Sequence, residues 1–338
     1  MRAIDPYLAY AFQPDVLQVT RRSQIQTNLE RTLRMVTSVC RPSHFPVQLV
    51  VFPEFFLQGW TRGCTLADYQ REILLTVPGD ETDRIAELCI ANSIYFCGAV
   101  LEQDAHWADR YFNTAFIISP TGDLIHKYRK VNIPLYVDME VSPHDMLDKY
   151  LEVYGEGKEP LDVLFPVAET EIGNLGTLIC MDGHFPESSR ALAINGAEII
   201  LRPTAMPSFN VCAPMELWKN ENKVRAAENR CYVIAPTIGH YRSEESPSMK
   251  WPGGSMIFNP EGMLLSECNY PGESWCRGVI DVERLRQQRS DYSYNHLLLL
   301  RNDIWREMYK HDVYQANRYA SKSPPADRTN IKDRAPLG

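Results

Sequence analysis

Two segments of this chain read alike. TAFIISPTGDLIHK, residues 114–127, and GSMIFNPEGMLLSE, residues 254–267, each hold an apolar strand pattern, a Pro-x-Gly turn and a second strand. A hairpin used twice points to two similar halves. Strand and helix patterns alternate along the rest. AYAF is a strand, and RSQIQTNLERTLRMVTSVC, residues 22–40, then places Ile25, Leu29, Leu33 and Val36 at helical spacing. LVVF is a strand, ETDRIAELCIANS a helix capped by Asp80 or Thr82, and IYFCGAVL a strand. PMELWKNENKVRAAENRCYVIAPTIG reads as a helix leading into a strand. Alternation on this scale predicts an α/β fold. Residues 133–165 read as one irregular stretch, long enough for a loop with a function. The expected organisation is a single domain over residues 1–310 and a polar, Pro-rich tail over 311–338 that cannot bury much.

Three strand ends carry chemistry. In GTLICMDGHFPESSRALAINGAEIILRP, residues 176–203, an apolar run ends at Cys180, Met181-Asp182-Gly183 turn the chain, and a helix runs from about Pro186 to Asn195 before a second buried strand. A cysteine on such an elbow sits at the rim of a sheet and faces a helix N-terminus, a setting that favours the reactive thiolate. The chain has nine cysteines and no CxxC pair, which argues against a zinc or thioredoxin-like site. Cys89 and Cys97 fall in helix and strand patterns and read as small core residues. In QLVVFPEFFLQGW, residues 48–60, Pro53 stops a β-branched run and Glu54 follows, flanked by Phe52, Phe55, Phe56, Leu57 and Trp60. Apolar bulk disfavours the charged form of a carboxylate, as a general base near neutral pH requires. The bland reading is a surface glutamate. In NTAFIISPTGDLIHKYRKVNIP, residues 113–134, a hairpin leaves the sheet through Lys127, Arg129 and Lys130. Such a cluster is a solvated face or a phosphate patch, or it sets a fixed cation beside an oxyanion.

The order of FPEFFLQG, KYRKVNIP and ICMDGHFPESSR, with Glu54, Lys130 and Cys180 in that sequence, resembles the nitrilase superfamily of carbon–nitrogen hydrolases. The resemblance runs from AYAFQPDV to the VIDVERLR segment near residue 285. It implies a four-layer α-β-β-α sandwich of the nitrilase type. It also implies homodimers or higher homo-oligomers, in which the tail wraps a partner. Its chemistry uses no metal and no cofactor. Glu54 is implied as base, Lys130 as oxyanion cation, Cys180 as nucleophile and the Met181 N–H as a second oxyanion donor. A second acidic residue is implied after the lysine motif. Glu140 is the first choice for it, with Asp138 and Asp148 competing. Phe55, Trp60, Tyr136, His184, Phe185 and Arg202 are expected around substrate, although Arg202 also reads as a buried pairing partner. Glu187 and Arg190 are spaced as a structural ion pair, and Asp182 as an acceptor for the elbow's N–H groups.

Cys180-Met181-Asp182-Gly183 is closer to the amidase and formamidase elbow than to the Cys-Trp-Glu of nitrile hydrolysers. The expected reaction is hydrolysis of a small primary amide through a cysteine thioester. N-carbamoyl hydrolysis, nitrile hydrolysis, acyl transfer and an inactive assembly subunit stay open. Net charge is −8, from 35 basic and 43 acidic residues, so no basic footprint for nucleic acid is present. No apolar stretch approaches the ~18 residues of a membrane span. MRAIDPYLAYAFQPDV lacks the pattern of a secretory signal, and an odd number of cysteines suits a reducing compartment, so a cytoplasmic location is expected.

Overall fold

The computed structural model describes residues 3–60, 64–134, 140–206, 215–244, 249–250, 252–291, 293, 295–310 and 314–322. In chain order, the strands of its two main sheets are β1 (Tyr7–Gln13), β2 (Val47–Glu54), β3 (Tyr95–Glu102), β4 (Phe112–Ile118), β5 (Leu124–Arg129), β6 (Val167–Ala168), β7 (Leu175–Thr177), β8 (Ile199–Leu201), β9 (Tyr232–Ala235), β10 (Met256–Phe258), β11 (Leu264–Glu267) and β12 (Ser274–Ile280). The first sheet has the order β12-β1-β2-β3-β4-β5 and the second β11-β10-β9-β8-β7-β6. The longer helices are α1 (Ser23–Val39), α2 (Asp80–Asn92), α3 (Leu147–Tyr154), α4 (Pro186–Ile194), α5 (Met215–Asn229) and α6 (Val282–Ser290).

The duplication foreshadowed by the two hairpins extends to whole sheets. β1, β2 and β3 run parallel, and β4 and β5 then return antiparallel, with β12 antiparallel on the other side of β1. The second sheet repeats this: β7, β8 and β9 are parallel, β10 and β11 return, and β6 is antiparallel to β7. Both hairpins turn through a glycine at positive φ, Gly122 at 88° and Gly262 at 76°. A side chain is disfavoured there. Each turn closes with the same backbone bond, Gly122 N–H to the Ser119 carbonyl at 3.0 Å and Gly262 N–H to that of Asn259 at 2.9 Å.

Alternation along the strands sorts their side chains into layers. On β1, Leu8, Tyr10 and Phe12 join Ile25, Leu29 and Ile85 of α1 and α2. Tyr7, Ala9 and Ala11 point the other way, onto Leu175, Ile199, Leu201 and Ile234 of the second sheet. Beyond that sheet, Ile200 and Val233 meet Leu192 of α4 and Trp218 of α5. The order helix, sheet, sheet, helix is the expected α-β-β-α sandwich. Because both faces of each sheet are covered, the strands read as near-continuous apolar runs in the sequence. His126 on β5 and Thr177 on β7 are a polar link inside the inter-sheet layer, Nε2 to Oγ1 at 2.8 Å. Burial lowers the His126 imidazole to about 4.

Three expectations change. The helix α2 is not capped by an Asp80 or Thr82 side chain preceding it. Gly79 precedes the helix, and Thr82 reaches back from its first turn to accept the Gly79 N–H at 2.8 Å. Residues 133–165 are not one irregular loop, since they contain α3 and the short helix Pro160–Leu164. The α3 stretch and its approach build a satellite core, in which Met146 and Tyr150 meet Trp107 and Phe112. Charged neighbours hid these apolar positions. The C-terminal segment packs on its own chain over residues 314–322: Asn317 and Tyr319 donate N–H groups to the carbonyls of His144 and Asp145 at 3.0 and 2.8 Å, and Arg110 donates to the Tyr319 carbonyl at 2.8 Å. Among the described residues no helix is long and apolar enough to cross a membrane.

Candidate active site

Strand direction brings the three predicted groups together. β5 lies two antiparallel steps from β3, so it runs the same way as β2, and the exits of β2 and β5 share one sheet edge. Glu54 ends β2 and Lys130 follows β5. The second sheet arrives through the exit of β8, where the Ala205 N–H donates to Glu54 Oε2 at 2.9 Å. Cys180 leaves the parallel neighbour β7, and its N–H is held by the Pro203 carbonyl at 3.0 Å.

Glu54 is 1% exposed and Lys130 2% exposed, so this is a buried charged pair and not a solvated face. Lys130 Nζ donates to Glu54 Oε1 at 2.6 Å, and Asn113 Nδ2 donates to the same oxygen at 2.7 Å. Burial would depress the Lys130 ammonium, but the charges of Glu54, Cys180 and Glu140 overturn that and hold it well above an ordinary lysine. The ammonium is therefore the favoured form of Lys130. Its neighbours in the basic run have a different task. Arg129 pairs with Glu102 at 3.0 Å and with Asp104, and Lys127 pairs with Glu102 and donates to the Val77 carbonyl at 2.8 Å.

Cys180 sits in the left-handed region, at φ 47°, as does Phe55 directly after Glu54, at φ 61°. Non-glycine residues avoid this region at a cost of about 1–3 kcal/mol, and such strain clusters at functional sites. The chain then makes a single 3-10 turn, Cys180–His184, before α4. Asp182 fastens that turn from beneath. Its carboxylate accepts the Ile179 N–H at 3.0 Å, the Asn132 N–H at 2.7 Å and the Tyr128 hydroxyl at 2.7 Å. The thiolate expected of the elbow is not the favoured form. Burial and the charge of Glu54 push the Cys180 thiol well above its usual range, against the pull of Lys130 and Arg202. Cys180 as a whole keeps some solvent access, but its sulfur lies among the buried charges, and their balance sets the direction.

The other sequence candidates scatter. Glu140 is fully buried, paired in a short parallel bridge with Tyr111, and close enough to Lys130 to raise its proton affinity. Asp148 is exposed on α3. Tyr136 and Asp138 lie outside the described residues. Phe55 and Trp60 pack in the cluster between the first sheet and its helices, and Phe185 is 43% exposed ahead of α4. His184 Nδ1 bonds Glu221 of α5 at 2.5 Å. Arg202, expected as a substrate contact, is 1% exposed and spends its donors on protein: Nε and Nη2 on the Cys180 carbonyl at 3.2 and 2.9 Å, Nη1 on Asn222 at 2.9 Å and Nη2 on Glu221 at 3.3 Å. The Glu187–Arg190 pair does not form, since Arg190 bonds the Glu228 carbonyl at 2.9 Å and Glu187 accepts from Tyr309. Sequence reasoning missed Asn113, Tyr128, Asn132 and Arg225. Asn113 could have been suspected, as a polar residue opening a buried strand.

Comparison with known proteins gives the family. A family model described as carbon-nitrogen hydrolase matches residues 12–290. A formamidase from Bacillus cereus (strain Q1) is 28% identical over 286 residues, 82% of this chain and 72% of that protein. The carbon-nitrogen hydrolase of Helicobacter pylori G27 superposes with a TM-score of 0.68 at 20% identity, over 90% of this chain and 99% of that one. A mutant of the amidase from Nesterenkonia sp. AN1, carrying the acetamide moiety of fluoroacetamide on its active-site cysteine, superposes with a TM-score of 0.62 at 17% identity, over 91% and 98% of the two chains. The two structures share the fold of this chain, the same α/β sandwich.

Proposed function

The chain belongs to the carbon-nitrogen hydrolase family, the nitrilase superfamily that its motifs resemble, and on that premise we propose that it hydrolyses small primary amides through a thioester on Cys180. One observation carries the reading: Glu54 and Lys130 form a buried ion pair at 2.6 Å, and the Cys180 thiol lies within reach of both charges. A base, a fixed cation and a nucleophile gathered at one buried site are the parts that amide cleavage needs. The formamidase and amidase relatives point to the same substrate class.

Glu54 takes the Cys180 proton as sulfur bonds to the amide carbon. The raised thiol makes this transfer concerted with attack, because a free thiolate is not the resting form. The carbonyl oxygen becomes an oxyanion beside Lys130 and the Met181 N–H, which lies at the start of the 3-10 turn, where N–H groups lack intrahelical acceptors. Collapse breaks the C–N bond, Glu54 returns its proton to nitrogen, and ammonia leaves. Glu54 then takes a proton from water, hydroxide adds to the thioester carbon, collapse releases the acid and the Cys180 thiolate, and Glu54 returns the proton to sulfur. Glu140 helps hold Lys130 protonated throughout. Arg202 is buried and spends four N–H groups on protein acceptors, which gives no support to a carboxylate-bearing substrate. A homo-oligomer would cover Ile194, Leu217 and Val224, exposed on α4 and α5, and sedimentation checks this.

The test is ammonia release from a panel of short primary amides, with intact-mass measurement after fluoroacetamide. We expect turnover of the amides and, after fluoroacetamide, one acetamide adduct on Cys180, formed as the thiol sulfur displaces fluoride. Ammonia release that survives in Cys180→Ala at more than a few per cent of the parent rate overturns the reading.

A further inference from the structure

The peptide unit that joins Cys180 to Met181 has two polar ends. Its N–H belongs to Met181 and its carbonyl to Cys180. In a trans peptide these point in opposite directions within one rigid plane. Whatever holds the carbonyl therefore aims the N–H. Here the holder is Arg202, whose Nε and Nη2 both donate to the Cys180 carbonyl, at 3.2 and 2.9 Å. A planar fork on one oxygen fixes direction as well as distance, and a charged donor polarises the peptide toward a stronger N–H on its far side.

The fork is itself clamped. Asn222 takes Nη1, Glu221 takes Nη2, and the guanidinium carbon lies 4.7 Å from the Trp218 ring centroid. Gly183 leaves the space it needs: a Cβ there would fall 2.0 Å from Arg202 Cζ and Nε. Arg225 continues the pattern, donating to the carbonyls of Gly183 and His184 at 3.0 and 3.1 Å. Cys180 holds a left-handed φ that its own side chain disfavours, so an outside constraint on the adjoining peptide is required.

We propose that Arg202 is a positioning residue that fixes and polarises the Cys180–Met181 peptide as an oxyanion donor. This rests on the amide-hydrolysis reading above. The experiment compares the parent enzyme with Arg202→Lys, which keeps the charge and loses the fork. It measures kcat and KM for a primary amide, and inhibition by the aldehyde of the same acyl group, which forms a tetrahedral adduct on the thiol. The expected result is a fall in kcat of about a hundredfold to a thousandfold, the usual effect of losing one oxyanion donor. KM should stay within about threefold, and aldehyde affinity should fall with kcat, a split that general destabilisation does not give. Asn222→Ala, which loosens the clamp and leaves the fork, should give a smaller loss of kcat with the same split, and it serves if Arg202→Lys does not fold. A variant with kcat within threefold of the parent, or one that raises KM alone, overturns the proposal and leaves the amide reading standing. A parent enzyme that releases no ammonia from any amide overturns both.

Discussion

Replacing Lys130 by methionine separates the structural from the catalytic weight of the site. The ammonium and the Glu54 carboxylate are 2.6 Å apart, and both side chains are 2% exposed. At an effective dielectric constant of about 20, charges so close attract by about 6 kcal/mol, less the desolvation of both. Removing one partner of a buried pair costs about 3–5 kcal/mol, because the other charge stays buried. Glu54 keeps Asn113 and the Ala205 N–H as donors, so the lower end, about 3 kcal/mol, is expected. The double variant Glu54→Gln/Lys130→Met removes both charges and keeps the volume. It should regain about 2 kcal/mol or more over the single variant, yet stay as inactive. Urea unfolding followed by tryptophan fluorescence at one protein concentration reads the stability, and ammonia release reads the activity. Lys130→Met within about 1 kcal/mol of the parent, or a double variant no more stable than the single one, would refute the pairing argument.

Further consequences can be checked separately. Because the Cys180 thiol is pushed up, its alkylation by iodoacetamide should keep rising with pH beyond 9 and show no plateau near neutrality; a plateau at pH 6–8 would mean a resting thiolate. His126 falls from an ordinary 6.5 to about 4 when folded, so the unfolded chain binds the extra proton between those values. Stability from this group is complete above about pH 6.5 and is lost as pH falls toward 4, by about 3 kcal/mol. His126→Gln should flatten that part of the stability–pH curve, and an unchanged slope refutes the assignment. For matched amide and nitrile pairs sharing an acyl chain, kcat/KM should favour the amide; a tenfold preference for the nitrile, about 1.4 kcal/mol, would replace the amidase reading. Cys89→Ser should lower stability and spare kcat, since Cys89 is fully buried under α2, its thiol pushed up to about 12 by burial.

The sequence made the layers legible for a physical reason. Strands covered on both faces have to be apolar throughout, and helices covered on one face have to repeat at 3.6 residues, so LVVF and the Ile25–Leu29–Leu33–Val36 stripe each had one reading. Glu54, Lys130 and Cys180 were legible because charge or sulfur at the end of such a run stands out. What surrounds them was not. Whether Arg202 faces a substrate or a backbone carbonyl depends on Asn222, Glu221 and Gly183, which its sequence neighbours do not predict. The side chains proposed as pocket walls were chosen for bulk near the motifs. Bulk near a strand end serves a core equally well, as Phe55 and Trp60 do here. Turn chemistry also hides: Asp182 was expected as an acceptor for the elbow, but two of its partners, Tyr128 and Asn132, come from some fifty residues upstream, 54 and 50 positions away.

The repeated strand order explains why the site needs both halves. At the exit of β1 stands Gln13, whose amide is spent on the carbonyls of Tyr270 and Gly272 and on the Ser255 N–H. The matching exit, of β7, carries Cys180. At the exit of β2 stands Glu54, and the matching exit, of β8, carries Arg202. Each pair of equivalent positions has thus divided into one group proposed to meet the reacting atoms and one that holds backbone. The duplicated hairpins have divided in the same way: β5 delivers Lys130, whereas β11 leads to the buried Cys268, whose N–H bonds the Ser255 carbonyl at 2.8 Å. Either half alone would expose the inner faces of β1 or β8 to water. It would also leave Glu54 without Cys180, or Cys180 without a base. Packing the two sheets face to face therefore buries the core and brings Glu54, Lys130 and Cys180, the proposed base, cation and nucleophile, to one edge in the same step. The asymmetry of the proposed site lies in which residue each half places at its strand exits, on a strand order that is the same twice.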